Sequence, residues 1–222
     1  MRILVPEILD FLGPEDPRAI RSRRDLVLVN RLMRQSAIMA NTLAPLPSPK
    51  LWVDLGGGDG RFLLRTLARM TRRWPAGKVQ IADRLNIVST QTRAGFAALG
   101  WTCESLTGDI METLPGLSPD LITANLFLHH LDDNALPKLL ELVAQSRAFV
   151  ACEPQRSGFS LLGAHLIGLL GVNDVTRHDA LASVRAGFHG HELSRLWPKT
   201  EGWRLAERAV FPFTHLFCAY AL

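Results

Sequence analysis

The sequence predicts an α/β protein: a doubly wound sheet with helices on both faces, a terminal strand pair and an N-terminal helical extension. Three observations carry this reading. A strand-like run, Leu51–Leu55, passes through Gly56-Gly57-Gly58-Asp59-Gly60 directly into the helical pattern Arg61-Phe62-Leu63-Leu64-Arg65. Strand-like and helical stretches then alternate as far as Cys152. Two further strand candidates, Trp203–Val210 and Leu216–Ala219, flank Phe211-Pro212-Phe213-Thr214 at the C-terminal end.

Taken in order, residues 3 to 45 read as helical. Asp16-Pro17 is a start signal, a cap followed by proline in the first turn. Arg18 to Leu43 mixes arginines with Ile20, Leu26, Val27, Leu32, Met33, Ile38 and Met39, and Pro45-Leu46-Pro47-Ser48-Pro49 ends the stretch as a stiff linker. Residues 1–49 are thus expected to be a helical extension or lid, and 50–222 the main domain. Strands are expected at Leu51–Leu55, Lys78–Ala82, Thr102–Leu106, Leu121–Leu126 and Ala148–Cys152. Helices are expected to begin near Arg61, Asn86 and Asp132, the second ending at Gly100 as a C-cap. Residues 154–200 carry glycines and histidines without a clear strand and read as an insertion.

Composition sets the class. The chain has 222 residues, 47% hydrophobic and 21% charged, enough for one domain with a full core. Mean hydropathy is +0.10 and no apolar run reaches transmembrane length. The opening Met1-Arg2-Ile3-Leu4-Val5-Pro6-Glu7 lacks the apolar core of a signal peptide. Cys103, Cys152 and Cys218 form no CxxC pair, so buried free thiols and a cytoplasmic setting are expected. Net charge is +4 and the pI about 9.3. Arg61, Arg65, Arg69, Arg72 and Arg73 lie near one helical face, opposite Leu63, Leu67, Met70 and Trp74. A solvated face is expected there, with a polyanion surface as the alternative.

The glycine cluster departs from the dinucleotide fingerprint, because its third glycine comes one residue early. No Lys-Ser or Lys-Thr follows a glycine, which excludes a P-loop. Asp59 would repel a pyrophosphate, so a cationic ligand without phosphates fits better. Asp54-Leu55-Gly56-Gly57-Gly58-Asp59-Gly60 resembles motif I of the class I S-adenosylmethionine (SAM) dependent methyltransferases. The resemblance covers roughly residues 50 to 220 and implies a Rossmann-like sheet of five parallel strands with a terminal antiparallel pair.

Asp83 ends the second strand run, where an acid can accept hydrogen bonds from both ribose hydroxyls. The resemblance assigns it that role, with Arg84 beside it. It also places Asp109 of Gly108-Asp109-Ile110 on the adenine amino group, Ile110 against the ring, and Asp54 at the glycine turn or the methionine amine. The expected cofactor set is Asp54, Gly56, Gly57, Gly58, Gly60, Asp83, Arg84, Gly108, Asp109, Ile110, Asn125 and Leu126. Asn125-Leu126-Phe127-Leu128 lacks the prolines of enzymes that methylate base amino groups.

His129-His130-Leu131-Asp132 resembles a stretch of small-molecule methyltransferases that faces the transferred methyl group. A histidine there suits proton removal near neutral pH. His130 is the first candidate base, with His129 and His178 behind it; a pocket-wall role is the alternative. Phe159–Gly171 is apolar and is expected to line an acceptor pocket, lie on a membrane face or pack. No metal is expected, because Asp54, Asp83 and Asp109 are assigned to the cofactor and His189-Gly190-His191-Glu192 lacks metal-helix spacing. The expectation is O-methylation of a phenolic hydroxyl on an apolar small molecule. C-methylation of a quinone or polyketide ring, an RNA-binding methyltransferase and a non-catalytic SAM-binding protein remain as alternatives.

Overall fold

In a computed structural model the described residues are all but Met1, Pro14, Thr71, Lys199 and Thr200. Seven strands form one sheet: β1 (Leu51–Leu55), β2 (Gly77–Asp83), β3 (Trp101–Thr107), β4 (Leu121–Asn125), β5 (Ala148–Pro154), β6 (Trp203–Val210) and β7 (Thr214–Ala221). Their order is β3-β2-β1-β4-β5-β7-β6. Strands β1 to β5 pair in parallel, and β7 runs antiparallel between β5 and β6. Strand order reverses at β1, whose neighbours are β2 and β4. In open α/β sheets that crevice is where ligands bind.

The helices are α1 (Pro17–Leu32), α2 (Gln35–Leu43), α3 (Arg61–Ala68), α4 (Thr90–Ala98), α5 (Ile110–Thr113), α6 (Ala135–Val143), α7 (Gly158–Leu166), α8 (Asp174–Ala186) and α9 (Glu192–Leu196). Successive residues of a strand face opposite sides of the sheet. Trp52 therefore joins Trp74, Trp101, Leu63 and Leu67 on one side, while Val53 and Leu55 join Leu136, Leu140 and Phe149 on the other. Both faces are covered, which is why the central strands read as continuous apolar runs.

The structure corrects several expected bounds. Residues 3–45 are not one helix: Arg2 to Glu7 carry no regular element, and Arg34, at φ 56°, breaks α1 from α2. The second helix of the main domain begins at Thr90 rather than Asn86, because the Ser89 hydroxyl accepts from Thr92 N and caps it. Leu126 leaves β4 at φ 53° instead of ending it. Gly100, at φ 82°, follows α4 as its C-cap position. Phe159–Gly171 forms α7 and a short 3-10 turn whose Phe159, Leu162, Leu166 and Leu169 are exposed. No helix among the described residues is long and apolar enough to cross a membrane.

Candidate active site

A cavity of about 910 Å³ opens at the carboxyl ends of β1, β2 and β4. Its floor is the glycine turn. A Cβ on Gly56 (φ +62) would lie 2.4 Å from the Phe127 ring, so only glycine fits there. Gly58 (φ +55) has open space where a Cβ would be, so its backbone can meet a ligand directly. The turn is held by Asp83, whose Oδ2 accepts from Gly58 N at 2.9 Å while Oδ1 accepts from Leu85 N at 2.9 Å.

Beneath the turn Asp54 is buried. Trp52 Nε1 donates to Thr123 Oγ1 at 2.9 Å, and Thr123 Oγ1 donates to Asp54 Oδ1 at 2.6 Å. Burial pushes the Asp54 carboxyl up to about 7, with Asp83 adding to the rise and the Thr123 bond opposing it. Such a group ionises most readily beside a cation. Asp109, which also lines the cavity, caps α5 by accepting from Met111 N at 2.8 Å, and Ile110 follows it in the wall.

The other end of the cavity is built by a segment 122 residues before the histidines. Leu4 to Gly13 lines it together with Leu26, Val27 and Asn30 of α1, apart from Ile8, which is not in the wall. This segment is anchored firmly. Arg2 donates to the carbonyls of Ala186 (2.9 Å) and Leu131 (2.9 Å) and sits over the Phe188 ring. Ile8 N and Leu9 N donate to the Asp179 carboxylate at 2.7 and 3.0 Å. Glu7, bonded by Ser183 Oγ, then lies 3.3 Å from His129 Nε2. His129 Nδ1 lies 2.7 Å from Glu153 Oε2, and the other oxygen of Glu153 accepts from Phe127 N and Leu128 N. Burial opposes charge on the His129 ring, but Glu153 and Glu7 outweigh it and hold the imidazolium up to about 9.

Solved structures to which this chain is similar include methyltransferases. The chain is similar to an O-methyltransferase family protein from Burkholderia thailandensis (18% identity, TM-score 0.57, covering 93% of this chain and 62% of that one). It is similar to the plantazolicin methyltransferase BamL solved with a triazolic desmethylPZN analog and SAH (10%, TM-score 0.65, 96% and 92%). A third is human N-acetylserotonin methyltransferase in complex with SAM (16%, TM-score 0.56, 96% and 61%). The chain has the Rossmann-like fold of class I methyltransferases. It spans less than two thirds of the length of the first and third of these proteins. No family model and no curated protein sequence matches it.

Within this methyltransferase fold, the cavity gathers Asp54, Gly56, Gly57, Gly58, Asp83, Arg84, Asp109, Ile110, Asn125 and Leu126 from the expected cofactor set. Gly60 and Gly108 are not in its wall; they shape turns at φ 74° and 138°. His129 and His130 line the cavity, whereas His178 sits on α8 outside the lining, beside Asp179 at 3.0 Å. Among its described residues the insertion at 154–200 touches the cavity only through Ser183 and Ala186, and Phe159–Gly171 does not line it, because α7 turns its apolar face outward. Two residues escaped the sequence reading. Glu153 stands one residue before the end of β5, much as Asp83 ends β2, so the search for acids at strand ends reached one and passed over the other. Glu7 had no signal, since only the fold brings it to His129.

Proposed function

We propose that this chain is a SAM-dependent methyltransferase that methylates a hydroxyl of an apolar small molecule, most directly a phenol. The observation that supports it is one cavity with two unlike ends. At one end a glycine turn and the strand-end acids Asp54, Asp83 and Asp109 suit a cationic nucleoside without phosphates. At the other, Leu4, Val5, Leu9, Phe11 and Leu26 form an apolar wall around His129 and His130. SAM, when bound, supplies an electrophilic methyl on a sulfonium.

The residues then have distinct tasks. Asp83 accepts from the ribose hydroxyls while it holds Gly58; Ile110 and Met111 offer an apolar surface to the purine; Asp54 faces the positive charge. The chain's main contribution is alignment of acceptor and methyl group, which in well-placed systems supplies roughly 7–11 kcal/mol. His129, held as a cation by two carboxylates, has no free lone pair at neutral pH and is not a poised base in this arrangement. That same observation favours, as a second reading, an activated ring carbon as acceptor, which needs no such base. The fold's free thiols at Cys103, Cys152 and Cys218 fit a cytoplasmic setting.

The test is a panel of apolar phenols, ring-carbon nucleophiles and short polar amines incubated with SAM, following formation of the demethylated nucleoside. Phenols should turn over best. Preference for short polar amines would overturn the acceptor class.

A further inference from the structure

We propose that Glu7, His129 and His130 form a divalent metal site of the zinc class at the acceptor end of the cavity, with an open coordination position for an acceptor oxygen. The acceptor part rests on the methyl-transfer reading; the metal site itself does not.

Each of the three residues offers one ligand atom, and those atoms lie within 4.8 Å of one another. Zinc bonds of about 2.0–2.1 Å at tetrahedral angles place ligand atoms about 3.3 Å apart. The edge from His129 Nε2 to Glu7 Oε1 is already 3.3 Å, and His130 Nε2 lies 4.0 Å from Glu7 Oε2. The Glu7 carboxylate thus faces one ring with each oxygen, and the His130 side chain, 29% exposed at the cavity wall, has room to close in.

A second observation points the same way. A metal-bound histidine usually gives its other ring nitrogen to a carboxylate, which fixes the tautomer and orients the ring. His129 has that partner in Glu153, 2.7 Å from its Nδ1, and the more exposed Asp10 carboxylate lies 3.4 Å from His130 Nδ1. A metal ion binding here displaces the Nε2 proton that His129 shares with Glu7, leaving Nδ1 protonated towards Glu153 and the Nε2 lone pair for the ion. Three carboxylates face two imidazoles, a charge balance that suits a dication. Two imidazoles and one carboxylate leave a fourth position open, the ligand set of catalytic rather than structural zinc.

The ligands are also held in advance. Amides of Phe127 and Leu128 fix Glu153, and the Asp179 clamp on Ile8 and Leu9 fixes the segment that carries Glu7. The sequence expectation of no metal weighed the acids beside the cofactor and His189-Gly190-His191-Glu192; Glu7 lies 122 residues from His129 in sequence and entered neither comparison.

The test uses the full chain after chelator treatment and dialysis. Titration with Zn²⁺ in a calorimeter should show one equivalent, and Co²⁺ should give visible bands of tetrahedral intensity. Glu7→Gln and His130→Ala should each weaken Zn²⁺ binding at least tenfold, with circular dichroism confirming that both remain folded. Absence of stoichiometric Zn²⁺ binding to the folded chain overturns the proposal. So does binding that neither variant weakens, which would place the ion elsewhere. SAM affinity is read separately on the same samples, so failure of the methyl-transfer reading leaves the zinc result intact.

Discussion

Cofactor affinity should depend on pH through Asp54. Its carboxyl is buried under the glycine turn, accepts one hydrogen bond from Thr123 at 2.6 Å, and is pushed up to about 7, first by burial and then by Asp83. A sulfonium or ammonium group in the adjoining cavity favours the ionised form. Below about pH 7 the protein must therefore release a proton to bind the cation. Well below that point each pH unit costs about 1.4 kcal/mol; with half the groups already protonated at pH 7, affinity at pH 5 should be about fiftyfold weaker than at pH 7. Calorimetric titration with SAM at pH 5, 6 and 7 measures this. Repeating it in two buffers of different ionisation heat counts the protons, and close to one should leave at pH 6. An affinity that stays flat from pH 5 to 7, with no buffer dependence, would refute the assignment of Asp54 to the charged end of the ligand.

Three further outcomes are expected. Asp83→Ala removes the acceptor that holds Gly58 and faces the ribose, so SAM affinity read by calorimetry should fall at least tenfold, about 1.4 kcal/mol. Asp54→Asn keeps an acceptor for Thr123 but ends the burial of a charge; at pH 8 the ligand-free variant should melt higher than the parent while binding SAM more weakly, and a lower melting temperature would contradict the buried-charge account. In chelator-treated protein, His129 has a folded pKa of about 9 against 6.5, so its stabilisation is present below about pH 6.5 and is lost as pH rises through 9; His129→Ala leaves Glu153 buried without its partner and should cost about 3–5 kcal/mol in urea unfolding.

The main domain was largely legible because its signals are local. Leu51–Leu55 and Trp203–Val210 are strands with the bounds read from the sequence: the first is an apolar run covered on both faces, and the second, a largely exposed edge strand, ends at the turn before β7. The gathering of Asp54, Asp83 and Asp109 at one cavity end was legible for the same reason: each lies at or close to the end of its own strand run. The acceptor end was not. Its wall near Leu4–Glu7 carries no regular element, so no periodicity exists to read, and its position depends on Arg2 and Asp179 reaching across the fold. Phe159–Gly171 misled because an apolar helix pattern does not say which face is covered. Its Leu162, Leu166 and Leu169 are exposed, and α8 packs against α7.

The central claim is that the glycine-turn cavity holds SAM. Equilibrium titration of the wild-type chain at pH 7 with SAM and, separately, with NAD tests it most directly. The account predicts one SAM per chain and no measurable NAD binding. NAD bound in preference to SAM, or a folded chain that takes up no SAM, would contradict it.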